Sequence, residues 1–176
     1  MTLSLVQHGE AFLEDVDPSR SLTEKGKEEV SRTAASLKKG RIKVDEIWHS
    51  GKLRARQTAE IIAETLGIKE VLEKEGLKPN DAVAPVADLL NQTPNSILIA
   101  GHLPFLARLS SRLLTGSENK KEIGFKPGRA VCFERSGTIW VLKREVDLWI
   151  NCIRVLGLLV IILTLFLVLA MGIGIF

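Results

Sequence analysis

Short apolar runs alternate with longer amphipathic stretches along most of this chain, and the alternation predicts strands and helices in turn. Leu3 to Gln7 is apolar and closes in Gln-His-Gly, the pattern of a strand that delivers a polar turn. A polar loop, DVDPSRS, follows with Pro18 as a breaker. Thr23 is then placed to N-cap a helix running to about Lys39, with Gly40 at its end. Val44 to His49 predicts a second strand. Leu53 to Leu66 carries Ala55, Ala59, Ile62, Ala63 and Leu66 at helical spacing, and Gly67 closes it. Val71-Leu72 reads as a brief strand and Val83 to Leu90 as a short helix. Ser96–Ala100 is a fully apolar strand, broken by Gly101-His102-Leu103-Pro104, and Phe105 to Leu114 predicts the next helix. The stretch ENKKEIGFKPG reads as a solvated surface loop. Ala130–Glu134 and Thr138–Leu142 predict a closing hairpin around Arg135-Ser136-Gly137. Strands alternating with helices imply an α/β sandwich of three layers on a largely parallel sheet.

The last 22 residues break this pattern. Val155 to Phe176 reads VLGLLVIILTLFLVLAMGIGIF without one charge. As a helix it would span roughly 33 Å, enough for a bilayer core of about 30 Å. A buried soluble helix normally keeps a polar face, and this segment has none. The expectation is a C-terminal transmembrane anchor, dividing the chain into a globular domain at 1–148 and an anchor at 149–176. Lys143, Arg144 and Arg154 precede the apolar run and no charge follows it. The positive-inside bias therefore predicts a cytoplasmic domain with the C-terminus across the membrane. The N-terminal segment MTLSLVQHGE has no basic region and no long apolar stretch, so it does not read as a signal peptide.

Composition adds limits. The chain has 176 residues, with 24 Lys+Arg against 21 Asp+Glu and both signs interspersed. No basic block marks a nucleic-acid footprint, and no nucleic-acid partner is expected. Cys132 and Cys152 are too few for a disulfide framework or a zinc site.

The chemistry-bearing residues collect at strand ends. His8-Gly9 follows the first strand and Gly101-His102 follows the apolar strand near residue 100. Ligands of open α/β sheets bind beyond the carboxyl ends of the strands, so both histidines are expected at one crevice. Gly9 would allow close backbone approach to an anion, and Gly101 would relax the turn at His102. A third strand end, His49-Ser50, leads through Gly51-Lys52-Leu53 to Arg54 at a helix start, a combination suited to phosphate. A lone histidine at a strand end is ordinarily just a satisfied polar residue; the combination is what carries weight. His49 has no assigned task and reads as structural or at the pocket rim. No two histidines share a helical-turn spacing, so a three-histidine metal site is not indicated.

Taken in order, QHGE, LTEKG, SGKLRARQTAE and GHLP resemble the histidine phosphatase superfamily, with the nearest likeness to SixA-type phosphohistidine phosphatases, over residues 1–143. The resemblance implies a phosphoglycerate mutase-like fold and catalysis through a phosphorylated histidine, with no cofactor and no metal. It assigns the nucleophile to His8, the phosphoryl clamp to Arg54 and the second histidine to His102, with Gln7, Gly9 and Gly101 around the substrate. It implies a phosphohistidine-bearing protein or a small phosphorylated compound as substrate. The family usually has arginine where this chain has Gln7, which predicts a slower enzyme; Lys52 or Arg129 are candidates to supply the missing charge. A leaving-group acid has no recognisable motif here, and Asp81 is the best choice over Glu73 and Glu75. The alternatives are a small phosphate-ester phosphatase, or a weakly active or non-catalytic phospho-binding module at the membrane.

Overall fold

The structure is a computed structural model and describes residues 1–120 and 123–146. Its elements in chain order are β1 (Thr2–Gln7), α1 (Glu24–Lys39), β2 (Glu46–His49), α2 (Leu53–Leu66) and β3 (Val71–Glu73). They continue with α3 (Ala84–Gln92), β4 (Ile97–Gly101), α4 (Phe105–Thr115), β5 (Ala130–Ser136) and β6 (Ile139–Val146). One sheet holds all six strands in the order β3-β2-β4-β1-β5-β6. The first four strands of that order pair in parallel, and β5 and β6 add an antiparallel hairpin at one edge.

Strand alternation divides the core into two halves. Leu3, Leu5, Ile97 and Ile99 face one side, where they pack with Phe105, Leu106 and Leu109 of α4 and Val86, Ala87 and Leu90 of α3. Val6, Leu98 and Ala100 face the other, against Val30, Ala34 and Leu37 of α1 and Ala59, Ile62 and Ala63 of α2. Because successive strand residues point to opposite faces, an uninterrupted apolar strand such as β4 demands helices on both sides. The result is the expected three-layer sandwich.

Both helices of the second layer are stopped by local chemistry. The Thr23 hydroxyl accepts from the Gly26 amide at 3.0 Å, satisfying one of the free N–H groups that open α1. Gly67 ends α2 at φ +74°, a left-handed conformation that favours glycine.

Beyond shifts of one or two residues at the ends of β3, α3, β4 and α4, three features differ from expectation. β2 begins at Glu46, because the Asp45 carboxylate is taken up by the Ser96 amide at 2.7 Å where the two parallel strands start. The closing hairpin is longer than expected, running to Ser136 and from Ile139 to Val146 around Gly137. The stretch ENKKEIGFKPG is not simply a solvated loop: Ile123 is buried and Phe125 packs against the α3–α4 side of the core. Its charged flanks conceal an apolar pair whose burial depends on distant strands. The segment 155–176, expected to cross a membrane, lies outside the described residues, as does the 149–176 part of the expected division. Among the described residues, no helix is long and apolar enough to cross a membrane.

The turn after β1 lies flat on the start of α1. A Cβ added at Gly26 would lie 2.1 Å from the Glu10 carbonyl oxygen and 2.8 Å from its nitrogen. Since the obstructing atoms are backbone, Gly26→Ala is expected to destabilise the domain by about 1–3 kcal/mol. The check is a lower urea midpoint with unchanged denaturant slope; an unmoved midpoint would show that the contact is not required.

Candidate active site

Parallel pairing of β1 with β4 places Gln7 opposite Gly101, and the His8 amide donates to the Gly101 carbonyl at 3.0 Å. Both strands therefore release their histidines at the same level. The imidazole rings of His8 and His102 lie 5.0 Å apart between centroids, tilted by 58°. On the other side of β4, His49 of β2 is level with Ala100. The next residue, Ser50, has its hydroxyl 2.6 Å from His102 Nε2. The chain then turns at Gly51, with φ +79°, into α2. In the first turn of that helix, Arg54 donates from Nε to His8 Nε2 at 3.1 Å. The structure thus brings His8, Arg54 and His102 to one place, although 46 residues separate the first two.

These contacts define the protons. An arginine only donates, so His8 Nε2 carries the lone pair and Nδ1 carries the hydrogen, which goes to the Gly9 carbonyl at 2.8 Å. Burial holds His8 below its ordinary pKa of 6.5, reinforced by the charges of Arg54 and Arg20 and opposed by the Gly9 hydrogen bond. Burial also lowers His102, to about 3, with repulsion from His8 when that ring is charged and the positive fields of Arg54, Lys52 and Arg20 adding to it. Both rings are neutral at pH 7. His102 Nδ1 is buried and, among the described residues, has no hydrogen-bond partner. A Ser50 hydroxyl that donates to Nε2 leaves that Nδ1 as the ring's N–H donor.

The supporting contacts come from three separate motifs. The Gly9 amide donates to Thr58 Oγ1 at 3.2 Å, and Thr58 in turn donates to the Arg54 carbonyl at 2.8 Å. The Leu22 amide donates to Gln57 Oε1 at 2.8 Å. Thr23 bonds Glu10 through both backbone and side chain. The first turns of α2 therefore gather the turn after β1 and the start of α1 around Arg54. Gly9 is obligatory in this arrangement, since a Cβ there would lie 2.7 Å from the Gly26 carbonyl oxygen. Gly101 is also confined, with a Cβ falling 3.0 Å from Leu106 Cδ2.

The remaining expected residues take different positions. Gln7 is half-buried, and its Oε1 is buried without a hydrogen-bond partner among the described residues. Its carbonyl accepts from Gly128, the residue before Arg129, at 2.9 Å. Asp81 lies along a cavity of about 600 Å³ that runs from Ser50 past Glu73 and Glu75. Its carboxylate accepts from the Lys78 amide at 2.8 Å, and its carbonyl accepts from Arg108. Among the described residues, no hydrogen bond or ion pair joins Asp81 to His8, Arg54 or His102. His49 is buried, and its Nδ1 accepts from the Gly51 amide at 3.1 Å, which holds the turn that carries Ser50. One site residue carries no signal of its own in the sequence: Ser50 reads there only as part of a strand end, and it meets His102 through a hydrogen bond between residues 52 apart.

Comparison with known proteins bears on this arrangement. The model of the histidine phosphatase superfamily (branch 1) matches residues 3–84. The phosphohistidine phosphatase SixA of Escherichia coli (strain K12) is 32% identical over 124 residues, covering 66% of this chain and 76% of that protein. The chain belongs to the histidine phosphatase superfamily. Within it the chain is SixA-like, and at that level it is a phosphatase. Solved structures share the superfamily fold. That of the protein histidine phosphatase SixA complexed with tungstate superposes with a TM-score of 0.76 at 22% identity, over 84% of this chain and 97% of that one. The alpha-ribazole phosphatase of Shigella flexneri gives 0.66 at 17% identity, over 84% and 97%.

The lowered histidines of this superfamily member have a consequence for stability. A histidine with a folded pKa below 6.5 binds fewer protons when folded than when unfolded. Its contribution is complete above pH 6.5 and is lost as pH falls from there, for His102 down to about 3. Urea midpoints should therefore drop between pH 7 and pH 4.5 more steeply for the wild type than for His102→Gln. Parallel curves would contradict the assignment.

Proposed function

We propose that this chain is a phosphatase that forms a phosphohistidine intermediate on His8, with phosphohistidine in a protein as its substrate. The observation that carries the reading is the pair of hydrogen bonds at His8, which fix Nε2 as an unprotonated nucleophile beside a guanidinium. An entering phosphoryl group draws the Arg54 N–H groups onto its oxygens and leaves the Nε2 lone pair free to attack phosphorus. The P–N bond of the substrate breaks, its imidazole departs with the electron pair and takes a proton from solvent, to be returned when water attacks in the second step, and His8 carries the phosphoryl group. Water then attacks phosphorus, inorganic phosphate leaves, and His8 Nε2 regains its lone pair.

Arg54, the neighbouring His102 ring and the uncapped N-terminus of α2 stabilise charge on the transferring group. Lys52, the residue before that helix, adds its positive field at His102. A leaving imidazole requires less protonation help than an alkoxide, and the Asp81 carboxylate is already engaged by the Lys78 amide. That observation favours phosphohistidine over a small phosphate ester. The likeness to SixA supports the same choice. Residues 155–176 act as a membrane anchor for a domain at 1–148 in this reading, which rests on their uninterrupted apolar character.

Trapping with a labelled phosphohistidine protein should yield a phosphoenzyme that is acid-labile and absent in His8→Ala. Labelling that survives His8→Ala would remove the proposal, and ligand binding without turnover would support a non-catalytic module instead. Efficient hydrolysis of simple phosphate esters that collapses in Asp81→Asn would shift the assignment to an ester phosphatase. Gln7→Arg adds a charged donor to a neutral position, and kcat/KM is expected to rise about tenfold, equivalent to about 1–2 kcal/mol. An unchanged rate in steady-state assays would show that residue 7 does not reach the phosphoryl group.

A further inference from the structure

The turn between β2 and α2 is fixed from both ends. Lys74, just past β3, donates its amide to the His49 carbonyl at 2.9 Å. The His49 ring folds forward along the chain, and its Nδ1 accepts from the Gly51 amide at 3.1 Å. A bond from a side chain to the amide two residues on closes the ring of an Asx turn, here with an imidazole in place of Asn or Asp. Gly51 takes φ +79°, and a Cβ there would lie 2.3 Å from Glu73 Oε1. Residues 49–51 are thereby set against β3 before α2 begins.

Ser50 is the residue that this turn presents. It is 5% exposed, and its hydroxyl lies 2.6 Å from His102 Nε2, its one side-chain partner among the described residues. A buried hydroxyl left with an unused hydrogen is costly, and Nε2 is the acceptor in reach, so Ser50 donates. The bond at one ring nitrogen sets the proton at the other, which puts the His102 hydrogen on Nδ1.

The two imidazoles are then used in opposite senses. At His8 the Gly9 carbonyl takes up the Nδ1 hydrogen and leaves a lone pair on Nε2. At His102 the Ser50 hydroxyl takes up the Nε2 lone pair and leaves a hydrogen on Nδ1, a buried atom with no partner among the described residues. One ring offers a nucleophile, and its neighbour, 5.0 Å away between centroids, offers a donor.

We propose that Ser50 is a positioning residue for phosphoryl transfer: its hydroxyl holds His102 in the tautomer that gives the Nδ1 hydrogen to the phosphoryl oxygens, and His49 holds the turn that carries Ser50. The proposal rests on the reaction assigned to His8 and adds to it two residues that act through His102.

The test uses the full chain, isotopically labelled at its histidine nitrogens; with 3 histidines, each ring can be resolved by nuclear magnetic resonance. Wild-type His102 should show a protonated Nδ1 and an unprotonated Nε2. In Ser50→Ala the two nitrogens should move toward the averaged shifts of mixed tautomers. Single-turnover phosphorylation by a labelled phosphohistidine protein should be about tenfold slower in Ser50→Ala, with half-saturation unchanged. His49→Leu removes the acceptor for the Gly51 amide and should lose as much. His49→Asn restores an acceptor at the same reach and should recover most of the rate. Ser110→Ala deletes another buried hydroxyl, one that bonds the Leu106 carbonyl of its own helix at 2.7 Å, and should leave rate and ring shifts unchanged. Circular dichroism melting checks the fold of each variant, and if Ser50→Ala does not fold the two His49 variants decide. Unaltered His102 shifts in Ser50→Ala would overturn the proposal, as would a loss of rate shared equally by Ser110→Ala. A ring shift in Ser50→Ala while wild type forms no phosphoenzyme would remove the catalytic reading and keep Ser50 as the residue that sets His102. A phosphoenzyme on His8 formed at one rate by wild type and Ser50→Ala would do the reverse.

Discussion

Everything at this site depends on the register between two parallel strands. The His8 amide bonds the Gly101 carbonyl, and that single level sets the distance between the two imidazoles. Side chains alternate with period two along a strand, so a slip of one residue would turn one histidine to the opposite face of the sheet. The slip is prevented by burial on both sides. Leu3, Leu5, Ile97 and Ile99 must face α3 and α4 while Val6, Leu98 and Ala100 face α1 and α2. The core therefore sets the chemistry indirectly, by leaving β1 and β4 one compatible alignment.

Around that pair, the fold arranges positive charge without internal compensation. Arg54, Lys52 and Arg20 act on the neutral histidines, and among the described residues none of the three is paired with a carboxylate. In contrast, Lys25, Lys27, Arg56 and Lys143 on the surface are engaged with glutamates. Unpaired cations beside desolvated imidazoles are unfavourable without a ligand, because burial and like charge both oppose further positive charge. An arriving phosphoryl dianion relieves that strain, which is how such a site binds an oxyanion selectively. The glycines at 9 and 26 make the arrangement fit by letting backbone lie against backbone.

Local signals made most of the framework legible. Thr23 and Gly40 bounded α1, and the spacing of Ala55, Ala59, Ile62 and Ala63 placed α2 at the residues where it forms. In each case the deciding interactions lie within a few residues, such as the Thr23 hydroxyl on the Gly26 amide. Where partners are remote the sequence was a poorer guide. The start of β2 depends on Asp45 meeting Ser96, and the burial of Ile123 depends on strands and helices far along the chain. Among site residues, His8, Arg54 and His102 were found through ordered motifs.

The sequence by itself determined the alternation of strands and helices, the glycine-flanked histidines at strand ends and the family they belong to. Those properties arise from hydrophobic period, capping and motif order, all of which are short-range. Only the tertiary structure decided that Ser50 meets His102 and that His49 holds the Ser50 turn. Ser50 and His102 are 52 residues apart, and only parallel strand pairing brings them together. A hydrogen bond between such residues has no trace in local composition, because its energy depends on where the backbone has already been placed.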